Sequence, residues 1–221
     1  LFGVTVSGTG RSVANYTGST VNLYNSTVSG TKYAIYNTGT VNTAGTVKTT
    51  SDTVESGYYC VYNFGTLTVD GTLTANGGDV GIYNAANKDG SQHGTMTVNG
   101  NVTSTGDSNG LSNGGVLTVT GTLTTTGKNA SGLYNNEKGT LTVNGTLTAT
   151  GNASSSKANG LNNAGGTATV IGTLTASGGQ YGVYNYGPLN LAGTVNVTNN
   201  VYLGTGRTIT VVGELDDASS I

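Results

Sequence analysis

Short runs of alternating apolar and polar residues recur along the whole chain. The clearest pair is 66–69 and 72–75, in which Leu, Val and Ala alternate with Thr. An alternation with period two is typical of a strand with one buried face, and Thr and Val favour strands. Gly, Asn and Asp close the runs, as turns require. Since no segment shows the 3.6-residue apolar period of a helix, the pattern predicts an all-β chain with Leu67, Val69 and Leu73 facing inward.

A second motif, an apolar residue followed by Tyr and Asn, marks a sequence repeat. Clean copies begin at Ile35, Val61, Ile82, Leu133 and Val183, and Ser112 and Asn162 replace the Tyr in two others. The anchor Asn residues are Asn15, Asn37, Asn63, Asn84, Asn113, Asn135, Asn163 and Asn185. They are about 22 residues apart, with four to seven extra residues in every second unit. Three short strands in so few residues cannot form hairpins, so equivalent strands of successive units should pair in parallel.

We therefore predict an all-β fold in which residues 1–221 form a single parallel β-helix, or solenoid. Each coil has three short strands and about 22 residues, and there are about eight to ten coils. The anchor Asn side chains should face inward at a bend and bond to one another and to the backbone along the stack. This predicted asparagine column comprises Asn37, Asn63, Asn84, Asn113, Asn135, Asn163 and Asn185. A Gly precedes most anchors and is expected to give the bend a positive φ. These glycines are Gly81, Gly110, Gly132, Gly160 and Gly182.

The sequence Gly-Thr-Leu-Thr-Val-Asn-Gly-Thr-Leu-Thr-Ala-Thr at 139–150 resembles the coils of right-handed parallel β-helix domains. These belong to the pectate-lyase-like fold class and occur in bacterial surface adhesins and autotransporter passenger domains. The resemblance extends over about residues 4 to 212 and implies an extracellular, elongated and stable scaffold. Right-handed winding follows from the resemblance and from the rule for parallel crossovers.

Charge and hydropathy exclude two classes of function. The chain has 8 Lys and Arg against 10 Asp and Glu, too few cations for a phosphate-binding stripe, so no nucleic-acid partner is expected. No run of ~18 apolar residues exists, so the chain is not expected to span a membrane. The chain begins at Leu1 without a signal-peptide pattern, and both ends read as further coil. We therefore expect a fragment of a longer surface protein, with end-to-end self-association as the alternative.

Catalytic chemistry has little support in the sequence. The two Arg residues, Arg11 and Arg207, stand near opposite ends, and the acidic residues are scattered, whereas a glycosidase needs two carboxyl groups across one groove. We expect no enzyme activity and no cofactor. Asp79 and Asp107 occupy similar places in successive units, so a calcium ion there is an alternative to solvated turns. The single His93 lacks a companion ligand, and Cys60 is expected to replace a small buried residue.

Two repeated side chains should decorate the outside of the solenoid. An outward Tyr column can stack on sugar faces or contribute to a protein interface, or its rings can simply stack on one another. The candidate ligand-binding residues are Tyr36, Tyr62, Tyr83, Tyr134 and Tyr184. Thr-x-Thr pairs such as Thr72 with Thr74 also form ranks that resemble the flat faces of ice-binding β-solenoids. Thr is, however, also the usual outward residue of a parallel sheet.

The sequence thus predicts a non-catalytic structural or adhesive rod of a bacterial cell-surface or secreted protein. Such a rod would present loops at 48–59, 85–93 and 152–158, together with the Tyr column, to a host or microbial surface glycan or protein. The main alternative is a carbohydrate-binding or polysaccharide-active β-helix module. Lesser alternatives are a self-assembling filament subunit and an ice-binding Thr array.

Overall fold

The computed structural model describes residues 1–87 and 89–220, and these residues form strands and turns without a helix. The strands are β1 (Thr5–Gly8), β2 (Arg11–Asn15), β3 (Thr20–Tyr24), β4 (Thr27–Gly30), β5 (Tyr33–Asn37), β6 (Thr40–Ala44), β7 (Thr46–Ser51), β8 (Tyr59–Asn63), β9 (Thr66–Val69), β10 (Thr72–Gly77), β11 (Val80–Asn84), β12 (Thr95–Val98), β13 (Asn101–Gly106), β14 (Leu111–Asn113), β15 (Val116–Val119), β16 (Thr122–Gly127), β17 (Leu133–Asn135), β18 (Thr140–Val143), β19 (Thr146–Gly151), β20 (Asn159–Asn163), β21 (Thr167–Val170), β22 (Thr173–Ser177), β23 (Tyr181–Asn185), β24 (Leu189–Thr198), β25 (Val201–Leu203) and β26 (Ile209–Leu215).

The strands stack in three parallel ladders. The anchor ladder carries the apolar-Tyr-Asn motif and is a 9-stranded sheet that runs from β2 to β23 in steps of three and ends at β25. The second ladder runs in the same way from β3 to β24 and ends at β26, and the third runs from β1 to β22 and ends at β24. These two join into one 17-stranded sheet because β24 continues from the second ladder into the third. The predicted fold is therefore confirmed as a single-chain solenoid of about ten turns, with equivalent strands about 22 residues apart.

The interior of the solenoid is a narrow stack of aliphatic side chains. Leu67 aligns with Val41 of the coil before and with Met96 of the coil after, and all three are at most 1% exposed. The predicted inward residues Val69 and Leu73 are likewise buried. Each buried aliphatic side chain contributes roughly 1.5–3 kcal/mol relative to its exposed state, so the repeat of such residues stabilises every coil by the same means.

The glycines before the anchor motif have a different role from the one predicted. Positive φ was expected at Gly81, Gly110, Gly132, Gly160 and Gly182, and this prediction was wrong, since none of these five residues has a positive φ. They lie instead where the anchor ladder passes close to other backbone. A Cβ at Gly132 would overlap the backbone nitrogen of Thr150, and one at Gly110 would lie 2.7 Å from the carbonyl oxygen of Gly132. A Cβ does not fit at Gly110 or Gly132, whereas two other coils accommodate Ala34 and Cys60 at the same place, fully buried.

Candidate functional site

The anchor asparagines form a continuous ladder of side-chain hydrogen bonds, which we call the asparagine ladder. Nδ2 of each residue donates to Oδ1 of the next, at distances between 2.7 Å for Asn37 to Asn63 and 2.9 Å for Asn15 to Asn37. All members are at most 2% exposed. The ladder comprises Asn15, Asn37, Asn63, Asn84, Asn113, Asn135, Asn163 and Asn185. The predicted column is therefore present in full, with Asn15 as its first member.

Seven of the eight ladder amides also donate to a backbone carbonyl oxygen of the next coil, whereas Nδ2 of Asn185 donates to the carbonyl oxygen of Gly187 in its own turn. Nδ2 of Asn84 donates to the carbonyl oxygen of Val116 at 3.0 Å, and Nδ2 of Asn63 donates to that of Thr95 at 3.1 Å. A buried amide left without partners is destabilising, and this arrangement satisfies both the side chain and the bend that follows the anchor strand. The ladder ends at Asn185, because Leu203 takes the next place. Because the ladder bonds equivalent positions of successive coils to one another, it holds the coils in register.

The tyrosines that precede the anchor asparagines align in a column on the outside of the anchor ladder. The five predicted members, Tyr36, Tyr62, Tyr83, Tyr134 and Tyr184, occupy equivalent places in the strand register, with Ser112 and Asn162 filling the two gaps. Sequence reasoning missed Tyr202, which pairs with Tyr184. The signal that could have found it is the apolar-Tyr pair at 201–202, which lacks the Asn of the motif.

A first cluster of tyrosines covers the anchor ladder near its N-terminal end. The rings of Tyr36 and Tyr62 stack with centroids 4.9 Å apart and planes within 6°, and the guanidinium carbon of Arg11 lies 3.6 Å from the Tyr36 centroid. Tyr33 and Tyr59 pack edge-on or face-on against this stack. Burial among these rings raises the pKa of the Tyr59 phenol to about 12. The Tyr59 phenol is therefore neutral at physiological pH, and the cluster forms a half-buried aromatic surface that carries hydroxyl groups.

A second cluster lies at the C-terminal end of the same ladder. Tyr184 and Tyr202 stack with centroids 4.8 Å apart and planes within 12°, and Tyr181 and Tyr186 flank them. The hydroxyls of Tyr186 and Tyr202 are 3.2 Å apart, and this hydrogen bond raises the pKa of Tyr202. Ring-on-ring stacking, one of the two interpretations of the Tyr column, therefore holds within both clusters.

Between the two clusters, the column opens into a cleft at Ser112. The cleft has a volume of about 420 Å³ and lies between the rings of Tyr83 and Tyr134, with Asn87, Asn136 and the 137–138 pair at its rim. Tyr134 stacks on no other ring in the described part of the chain. Tyr134 thus differs from the tyrosines of the two clusters in lining the cleft without a stacked ring beside it.

The residues considered for metal binding do not assemble a site. Within 1–87 and 89–220, no group of three or more His, Cys, Asp or Glu side chains is close enough to hold a metal ion. The Asp79 carboxylate accepts a hydrogen bond from the backbone of Gly57 at 3.4 Å, and that of Asp107 accepts one from Nδ2 of Asn129 at 3.2 Å. His93 is exposed on a loop. Cys60 is fully buried, as expected, with its thiol 3.1 Å from the Thr49 hydroxyl, and burial raises the pKa of that thiol to about 11.

The three segments predicted as binding loops differ in their structure. The segment predicted at 48–59 begins inside β7, so its loop is limited to 52–58, because the third ladder extends to Ser51. The segment at 85–93 folds back on itself through a bridge between Ala86 and His93, and its residue 88 lies outside the described residues. The loop at 152–158 is fastened to the coil before it by Nδ2 of Asn152, which donates to the carbonyl oxygen of Lys128 at 2.7 Å.

The Thr ranks are in register on the third ladder. Thr74, Thr103, Thr124, Thr148 and Thr175 occupy successive equivalent places. Lys48 and Asn101 interrupt the ranks where the sequence places them. The array is thus regular over five coils, as the ice-binding alternative requires. The same regularity is expected of the outward Thr positions of any parallel sheet.

Comparisons with protein-family models, with curated proteins and with solved structures found no match for this chain. The resemblance to adhesin and pectate-lyase-like β-helices, and the right-handed winding that it implies, therefore stay predictions. Among the described residues there is no helix with the length and apolar character needed to cross a membrane.

Proposed function

We propose that this chain is a non-catalytic rod of an extracellular protein, either secreted or attached to a cell surface, and that it presents its tyrosine-rich face to a binding partner. The observation that carries the proposal is the asparagine ladder, which links eight consecutive anchor strands by seven side-chain hydrogen bonds. Nine anchor strands at ~4.8 Å spacing give a rod roughly 40 Å long. Internal ties of this kind suit a protein that must keep its shape without a partner.

The tyrosine clusters support the binding part of the proposal. Tyr is enriched in protein interfaces, because its ring contributes a large contact area and its hydroxyl a hydrogen bond. Tyr16 is 56% exposed beside the first cluster, and Tyr186 is 38% exposed in the second. The expected partner is a surface glycan or protein of a host or of another microbe.

Two measurements test this proposal. Protease treatment of intact cells that express the full-length gene should remove the segment, and an antibody to it should label the cells or the culture medium. Purified protein should also bind a panel of immobilised surface glycans and matrix proteins, and changing Tyr36 and Tyr62 together to alanine should weaken that binding. Tyr24→Ala, at an exposed tyrosine outside the Tyr column, is the matched control. The proposal would be contradicted if the protein were found in the cytoplasm, or if the variant with alanine at Tyr36 and Tyr62 bound as tightly as the Tyr24→Ala control.

A carbohydrate-binding module is the second candidate. The cleft between Tyr83 and Tyr134 favours it, because a sugar ring can pack its apolar face on an aromatic ring while its hydroxyls bond to polar side chains at the rim. A glycan array read with the wild-type protein and with a variant in which Tyr62 and Tyr83 are alanine tests it. Loss of a saccharide signal in that variant would favour carbohydrate binding over protein binding.

A further inference from the structure

We propose that the gap in the Tyr column at Ser112 is a subsite for one pyranose ring of an uncharged saccharide, held between the rings of Tyr83 and Tyr134. The proposal rests on the proposed role of the rod as a binding surface, and it adds the location of the site and the class of the ligand. The cleft of about 420 Å³ lies within the range of about 300–1,000 Å³ that is common for small-molecule sites.

The spacing of the coils carries the first step. Two pairs of neighbouring column tyrosines stack, with centroids 4.9 Å apart for Tyr36 and Tyr62 and 4.8 Å apart for Tyr184 and Tyr202. In the third such pair, the ring of Tyr83 is tilted by 52° from that of Tyr62, with centroids 5.9 Å apart. Tyr83 and Tyr134 are two coils apart, which corresponds to about 9.6 Å along the rod. A ring placed over Ser112 would therefore lie between the two tyrosines, about 4.8 Å along the rod from each.

The open faces of the two tyrosines carry the second step. Tyr83 is covered on the N-terminal side by Tyr59, with centroids 4.7 Å apart, and by Tyr62, with centroids 5.9 Å apart. On its other side lies Ser112 of the next coil, which has a small side chain, is 7% exposed and lines the cleft together with Tyr83. The two tyrosines and Ser112 thus lie on strands β11, β14 and β17, so little ordering of these three residues is needed when a ligand binds.

The rim of the cleft selects a saccharide over an aromatic side chain. Its polar groups are the hydroxyl of Ser112, the amides of Asn87 and Asn136, the carboxylate of Glu137 and the ammonium of Lys138. Sugar hydroxyls both donate and accept hydrogen bonds, so they can pair with the capacity that remains in this mixed set after Asn87 bonds to Ser91 and Gln92, and Asn136 to the backbone of Lys138. A phenyl ring offers no such hydrogen bonds. The opposite charges of Glu137 and Lys138 give the rim no net preference for an anion or a cation, which favours an uncharged sugar.

The second gap in the column provides a matched comparison. Asn162 lies between Tyr134 and Tyr184 in the strand register, and its side chain is larger than that of Ser112. Asn162 does not line the cleft. A tyrosine introduced at either gap extends the same column, but only the one at Ser112 would fill the proposed subsite.

Binding is measured by saturation-transfer difference NMR with the methyl pyranosides of glucose, galactose, mannose and N-acetylglucosamine. The wild-type protein should bind at least one of them with a Kd in the millimolar range. Ser112→Tyr should weaken that binding by at least tenfold, and Asn162→Tyr should leave it within twofold of wild type. Far-UV circular dichroism checks that both variants fold. If Ser112→Tyr does not fold, Tyr134→Ala, which removes one wall of the cleft, provides the test instead.

Three results would overturn the inference. The subsite is wrong if none of the pyranosides binds, or if they bind to Ser112→Tyr and to Tyr134→Ala as tightly as to the wild-type protein. The proposed function would still stand in that case if a glycan or protein binds through Tyr36 and Tyr62. If N-acetyltyrosinamide binds more tightly than every sugar and only Ser112→Tyr abolishes it, the cleft takes an aromatic side chain and the saccharide assignment is wrong.

Discussion

Replacing Asn84 by alanine removes a central link of the asparagine ladder. Three hydrogen bonds are lost, namely those from Nδ2 of Asn63 at 2.8 Å, to Oδ1 of Asn113 at 2.8 Å and to the carbonyl oxygen of Val116 at 3.0 Å. Asn63 keeps its bonds to the carbonyl oxygens of Gly65 and Thr95, so its amide is not orphaned. Oδ1 of Asn113, in a residue that is 0% exposed, loses its donor.

The cost of this substitution follows from those contacts. Three buried hydrogen bonds at ~1 kcal/mol each and one orphaned acceptor at ~1–3 kcal/mol give a loss of about 4–6 kcal/mol in the free energy of unfolding. For a chain of this size, 1 kcal/mol lowers the thermal midpoint by about 2–4 °C, so a fall on the order of 10 °C or more is expected.

Thermal and urea unfolding followed by far-UV circular dichroism measures the effect. The control is Asn76→Ala, at an exposed asparagine of β10, which should change stability by no more than about 0.5 kcal/mol. If Asn84→Ala unfolds at the same temperature and urea concentration as Asn76→Ala, the ladder does not stabilise the solenoid and the reasoning is refuted.

Three further predictions follow from buried groups. In Asn84→Asp the new carboxyl would face carbonyl oxygens, so its pKa in the folded protein should rise above ~3.9. The loss of stability should therefore be smallest below pH ~3.9 and should grow as the pH rises. Equal shifts of the urea midpoint at pH 4 and pH 7 would contradict this. Cys60, buried and with a pKa of about 11, should react with a thiol reagent at pH 8 at least 100-fold more slowly in the native protein than in urea, and reaction at the rate of free cysteine would argue against its burial. Gly132→Ala should destabilise markedly because its Cβ would collide with the backbone of the neighbouring coil, whereas Gly10→Ala, with open space around it, should not; similar melting curves for the two would show that close approach is unimportant.

The repeat made most of the fold predictable. One motif recurring about every 22 residues places the same residue type at the same point of each coil, so the asparagine ladder and the Tyr column could be read from positions alone. The alternation of Thr with Leu and Val likewise gave the inward face of each strand. The local pattern could not give the role of Gly110 and Gly132, because their close contacts join strands that are far apart in sequence.

The surface was less predictable than the core. Tyr33 and Tyr59 lie outside the apolar-Tyr-Asn motif, and they join the first tyrosine cluster because the start of each anchor strand lies beside the column. The cleft at Ser112 depends on the positions of the loop that contains Asn87 and of the turn that contains Asn136, and no periodic signal specifies these. Irregular segments determine where a ligand can bind, and their conformations follow from contacts that the sequence pattern does not contain.

The central claim is that successive coils stack in parallel along one line of buried asparagines. Nuclear Overhauser spectroscopy on protein labelled with ¹⁵N at asparagine tests it directly through the side-chain amide protons. We expect contacts that link Asn37 to Asn63, Asn63 to Asn84 and Asn84 to Asn113 in chain order, with slow exchange of these protons with water. Fast exchange, or contacts that join these residues in any other order, would contradict the stacked solenoid.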